Sequence, residues 1–253
     1  MNIDYRTALI GLLLILLFLS AGLSYKLVKR NRFLTRELAR TLLDPLALSY
    51  FDEQSFISKN RQDMTKVLFF GDSRAATWPN PEMDDSFVFI NRGIDGQSSA
   101  QAVLRFEAHV VPVQPDVVVV QVCVNDLWRI PVFPDEKEAI IQRCQENLAE
   151  IVTKSTDLGA TVLLTTIFPV HDPPLMQRMY WSTDVYDAID TVNETIRSLA
   201  KDDVLVLDAY ELLRDENGRL HTQYAADYLH LNETGYQVLN EALIDMLESV
   251  DTP

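Results

Sequence analysis

Hydrophobic positions divide the chain into two regimes. From Ala8 to Leu23 it runs sixteen residues without a charge, flanked by Tyr5-Arg6 and Tyr25-Lys26. Leucine, isoleucine and phenylalanine all round such a helix leave no polar face for water. Counted from tyrosine to tyrosine at about 1.5 Å per residue, the segment matches the hydrocarbon core of a bilayer. Residues 1–25 are therefore expected to form a transmembrane anchor, with a cleaved secretory signal ending near Ser20-Ala21-Gly22 as the alternative. Residues 26–63 follow as a basic juxtamembrane helix and linker, with Leu27, Leu34, Leu38 and Leu42 on one flank.

From about residue 64 to 253 the pattern changes. Short apolar runs (Val67 to Phe70, Phe87 to Asn91, Val117 to Val124, Thr161 to Phe168, Val204 to Leu207) alternate with helical patterns at Ser98 to Val111, Glu136 to Asp157, Val185 to Ala200 and Glu233 to Leu247. Runs that are continuously apolar, without alternation, predict strands covered on both faces. The order predicts a doubly wound α/β domain with a parallel sheet, whose ligands gather at the carboxyl ends of the strands. Ser73, Asn91 to Gly96, Asn125 and Phe168 to His171 all fall at such ends.

Charge sharpens this division. The 253 residues carry a net charge of -15, yet residues 1–40 hold seven Lys/Arg against Asp4 and Glu37. By the positive-inside rule, the basic residues after Tyr25 predict that the second domain stays in the cytoplasm. Its acidic body argues against a nucleic-acid partner. Cys123 lies in an apolar run and Cys144 in a polar helical stretch. Their spacing suggests neither a disulfide nor a metal site, so unpaired cysteines are expected, Cys123 as a small buried hydrophobe.

Candidate chemistry centres on Ser73, which follows the first strand in Gly71-Asp72-Ser73-Arg74. A serine hydroxyl needs a neighbouring base to become a nucleophile. His230 is the best available base, and Asp227, three residues earlier, can reach back to Nδ1 and fix the tautomer. Asn232 and Glu233 then form a helix start. Donors for a developing oxyanion are available at two further strand ends, from Gly93 and Gly96 and from the Asn125 amide. Each has a plainer reading: the glycines as turn formers, Asn125 as the closure of a βα loop, Asp72 as a helix cap.

Four ordered blocks resemble the SGNH hydrolases, the GDSL-type esterases and lipases: Gly71-Asp72-Ser73-Arg74, Asn91-Arg-Gly-Ile-Asp-Gly96, Val-Cys-Val-Asn125-Asp126 and Asp227-Tyr-Leu-His230-Leu-Asn232. The resemblance covers roughly residues 66 to 240. It implies a three-layer α/β/α sandwich with a five-stranded parallel sheet. Ser73 would be the nucleophile, His230 the general base and then acid, and Asp227 its partner. The oxyanion hole would come from the backbone N–H groups of Ser73 and Gly96 and the Asn125 amide, and no metal or organic cofactor is expected.

Two positions depart from the family pattern: Arg74, where leucine is usual, and Cys123, where glycine is usual. Arg74 would meet an acidic group on the substrate or close a surface ion pair. Trp128, His171, Tyr180 and Trp181 are read as the substrate-binding wall, the last three in a proline-, methionine- and aromatic-rich segment that forms a lid or packs on the body. His109 and His221 are read as solvated or capping residues. The expected function is a membrane-anchored serine esterase acting on a small-molecule, lipid or acylated-sugar ester. The alternatives are an acyltransferase to a sugar or lipid acceptor, or a silent binding scaffold. Family habit favours the extracytoplasmic side of the membrane, against the charge rule.

Overall fold

The computed structural model describes residues 4–51, 64–175, 178 and 181–250. The chain divides into two compact units, Met1–Ala47 and Leu48–Pro253. In the first, α1 (Tyr5–Leu43) is one continuous helix. The change at residue 25 from apolar to basic side chains therefore occurs without a break in the backbone. The helix buries none of its residues, and it is long and apolar enough to cross a membrane, as anchors and signal sequences both are. The polar stretch from 52 to 63 lies outside the described residues.

The second unit is a five-stranded parallel sheet with helices on both faces. Its strands are β1 (Thr65–Gly71), β2 (Phe87–Gly93), β3 (Val117–Gln121), β4 (Thr161–Thr165) and β5 (Val204–Leu207), in the order β2-β1-β3-β4-β5. Among the described residues of this unit the α-helices are α2 (Ser73–Ala76), α3 (Ser99–His109), α4 (Val124–Leu127), α5 (Lys137–Asp157), α6 (Asp184–Ser198), α7 (Ala209–Leu213) and α8 (Glu233–Ser249).

Alternate strand residues feed two separate cores, which is why the runs look uniformly apolar. Leu68, Phe70, Val118, Val120, Val162 and Leu164 face α3, α5 and α6. Val67, Phe69, Val117, Val119 and Leu163 face Trp78, α7 and α8. After β1 the chain turns to one side for β2 and then crosses to the other for β3, so the switch in strand order lies at the carboxyl end of β1. That crevice is where an open α/β sheet binds ligands.

Two strands are shorter than the apolar runs predict. β3 stops at Gln121 because Cys123 turns into the left-handed region at φ 87°. β4 stops at Thr165, since the Ile167 N–H is taken by the Asn193 side chain at 2.7 Å.

Candidate active site

Gly71 ends β1, and Asp72 caps the short α2 by accepting the Arg74 N–H on Oδ1 at 2.9 Å. Ser73 is thereby set at the first helical position, 7% exposed at the carboxyl end of the sheet. The register aligns Gly71 with Gly93 on β2 and with Gln121 on β3, so three strand ends meet here. Gly93 is required by close approach, because a Cβ there would lie 2.1 Å from the backbone nitrogen of Ala76. Burial pushes the Asp72 carboxyl up to about 7, against the pull of the Arg74 N–H and guanidinium.

Oγ of Ser73 lies 3.0 Å from Nε2 of His230. On the other side of the ring, Nδ1 lies 2.9 Å from Oδ2 of Asp227. The second carboxylate oxygen accepts the backbone N–H groups of Leu229 and His230, each at 2.7 Å. Burial raises the Asp227 carboxyl, but these hydrogen bonds, that of His230 foremost, outweigh it and hold the group below the usual carboxylate range. An ionised carboxylate on Nδ1 selects the tautomer that leaves Nε2 able to accept the serine proton. Asn232 caps α8 with an acceptor 3.0 Å from the Gly235 nitrogen, which anchors the histidine loop on its far side.

Gly96 lies in the turn between β2 and α3 at φ 73°, a conformation that favours glycine. Asn125 lies in α4, just after β3, and its Nδ2 donates to the Gln97 carbonyl at 3.1 Å. That bond holds the amide plane against the Gly96-Gln97 turn and leaves its second N–H for another acceptor. Next to it, the Asp126 carboxylate accepts the Ser99 N–H and hydroxyl, both at 2.8 Å, and so joins α4 to the start of α3. Burial raises the Asp126 carboxyl despite these bonds. The structure thus collects Ser73, Gly96 and Asn125 at neighbouring strand ends, tied by bonds between the loops themselves.

Cys123 and Cys144 form a disulfide with a Cα separation of 5.7 Å, contrary to the expectation of two unpaired cysteines. The 21-residue separation carried no signal, because packing of α5 beside the end of β3 is what brings the two together. The bridge fixes the residue that caps α4, two positions before Asn125.

Arg74 also differs from expectation. It is fully buried, with its guanidinium on the carbonyls of Leu229 and Phe168, and faces neither solvent nor an open pocket. Trp128 and Trp181 do meet, at 4.5 Å between ring centroids, and Trp128 stacks on Tyr228 at 5.3 Å. Tyr228 precedes His230 by two residues, so these rings flank the histidine loop. His171 joins the same loop through its N–H to the Tyr228 carbonyl, while Tyr180 lies outside the described residues. Tyr228 was legible only as a filler between Asp227 and His230.

Arg105 is fully buried as well. Arg105 on α3 donates to the Gly71 carbonyl at 2.8 Å and to the Gln97 side chain, connecting the first block to the residue that follows the second. Its mark in the sequence is its place on the buried stripe Ala102, Phe106, His109. His109 is itself buried, with Nδ1 3.3 Å from Arg105, whereas His221 caps a turn by accepting the Gln223 N–H.

Comparison with known proteins bears on the fold and the family. An acetylxylan esterase from Geobacillus stearothermophilus is 24% identical over 166 residues, covering 61% of this chain and 69% of its own. The solved structure of a GDSL-like lipase from Bacteroides thetaiotaomicron superposes with a TM-score of 0.61 at 22% identity, covering 83% of this chain and 97% of that one. An acetylxylan esterase structure from Geobacillus stearothermophilus gives 0.57 at 19% identity, over 73% and 95% of the two chains. These likenesses carry the fold. The model of the GDSL-like lipase/acylhydrolase family matches residues 63–238, and with this fold and these four blocks the chain belongs to that family of ester hydrolases.

Proposed function

We propose that the protein is a membrane-anchored serine esterase that cleaves small or medium acyl esters through an acyl-enzyme on Ser73. The observation that carries this reading is the unbroken line of hydrogen bonds from Ser73 through His230 to Asp227. His230 takes the hydroxyl proton as Oγ bonds to the ester carbon, and Asp227 stabilises the resulting imidazolium. The carbonyl oxygen, now negative, is held by the backbone N–H groups of Ser73 and Gly96 and by the Asn125 amide. His230 then protonates the departing alcohol. Water then attacks the acyl carbon and gives a proton to the same nitrogen, and the acid leaves as the bond to Oγ breaks and His230 returns that proton to Ser73.

Trp128, Trp181 and Tyr228 supply an apolar wall beside the base for the acyl or alcohol portion. The acetylxylan esterases among its relatives make acetylated saccharides the first substrates to try. The apolar part of α1 would hold the enzyme at the membrane. The Cys123–Cys144 disulfide favours an oxidising compartment for the catalytic unit, against the cytoplasmic side that the basic residues after Tyr25 predict.

Labelling of intact and lysed cells with a fluorophosphonate probe that does not cross membranes tests both parts. The expected result is labelling of wild type in intact cells and none of Ser73→Ala, which also loses turnover of 4-nitrophenyl acetate. Undiminished turnover by Ser73→Ala overturns the mechanism, and labelling only after lysis overturns the topology.

A further inference from the structure

Arg74 is among the largest fully buried side chains of the protein, and a buried guanidinium is retained only where something offsets its desolvation. Here the offset consists of the neighbouring Asp72 carboxyl, backbone carbonyls and an aromatic face. Nε and Nη2 both donate to the Leu229 carbonyl, at 3.1 and 2.9 Å. Nη1 donates to the Phe168 carbonyl at 3.0 Å, and the guanidinium lies 5.1 Å from the centroid of the Phe168 ring. The carbonyl of Arg74 in turn accepts the Tyr236 hydroxyl at 2.8 Å. Burial lowers the arginine to about 10, which leaves it charged at neutral pH.

Leu229 is the residue immediately before His230. Its N–H is held by the Asp227 carboxylate at 2.7 Å and its carbonyl by Arg74, so the segment leading into the imidazole is gripped at both ends. The arm that grips the carbonyl grows from the residue next to Ser73. We propose that Arg74 is a positioning residue for His230, which ties the base to the nucleophile's own helix and sets the 3.0 Å approach of Nε2 to Oγ. A leucine at this position has no donor with which to do this. The two-pronged grip on one carbonyl also suits Arg better than Lys, whose ammonium is a single point. This inference rests on the esterase reading and goes beyond it by assigning Arg74 a role in geometry, with none in substrate contact.

The test uses the full chain in detergent, comparing wild type, Ser73→Ala, Arg74→Leu and Arg74→Lys on a neutral acetyl ester and a succinyl monoester. Near-UV circular dichroism establishes folding. Arg74→Leu is expected to lose kcat by roughly 10- to 100-fold, as a displaced base would. KM and the preference between the neutral and acidic esters should stay unchanged, and Arg74→Lys should recover part of the loss. The downfield proton resonance of the Asp227–His230 hydrogen bond should broaden or shift in Arg74→Leu. Full kcat in folded Arg74→Leu overturns the proposal, as does a loss confined to KM for the acidic ester. Should the leucine variant fail to fold, Arg74→Lys carries the same comparison: reduced kcat at unchanged KM supports it and full kcat overturns it. Wild type without Ser73-dependent turnover overturns the esterase reading and this inference together, whereas normal wild-type turnover confines any failure to Arg74.

Discussion

Nε2 of His230 stands 3.0 Å from Oγ of Ser73 although 157 residues separate them. The serine directly follows the end of β1, and the histidine lies in the loop that leads into α8, with the other four strands between them in sequence. The contact therefore depends on how that loop is held, and the residues that hold it can be tested individually.

Asp227→Asn keeps the size of the side chain but allows the imidazole the wrong tautomer. We expect kcat to fall by about 10³- to 10⁴-fold with the fold intact, measured as ester turnover at neutral pH. A loss of less than tenfold would remove Asp227 from the mechanism.

Asn125→Ala removes the amide that Gln97 orients at 3.1 Å. If that amide meets the developing oxyanion, about 3 kcal/mol of transition-state stabilisation disappears, seen as a fall in kcat with little change in KM. An unchanged kcat would leave Asn125 a purely structural closure of its loop.

Cys144→Ala opens the loop that the disulfide closes over 21 residues. Unfolding free energy should drop by about 3 kcal/mol. Dithiothreitol should destabilise wild type to a similar extent and leave the variant unaffected. Equal denaturation midpoints for wild type with and without reductant would contradict a stabilising bridge.

Asp72 gives a stability effect with a definite sign. Its carboxyl is raised from an ordinary value of 3.8 to about 7 in the folded protein. Between these values the folded state holds a proton that the unfolded chain has released, so this group makes stability fall as pH rises from about 4 to 7. The penalty is complete above 7. Asp72→Asn retains the acceptor for the Arg74 N–H and escapes the titration. Its stability relative to wild type should therefore be greater at pH 8 than at pH 5 in urea unfolding, and a difference that does not vary with pH would refute the buried carboxyl as its source.

Local features were legible from sequence because they arise from local physics. The strand runs announce themselves through uniform burial on two faces, the α8 cap through Asn232, and the Asp227–His230 pair through three-residue spacing. Tertiary packing decided the rest. Cys144 is an ordinary helical residue until α5 lies beside the end of β3, and the charge of Arg74 suggested exposure because its partners, the carbonyls of Leu229 and Phe168, are 155 and 94 residues away. Backbone carbonyls exist at every residue and leave no mark in composition. The residue types and their order therefore specified the reaction class and the layered sheet. Only the folded chain decided which buried cation grips which peptide, because such contacts depend on packing distance and sequence spacing carries no trace of them.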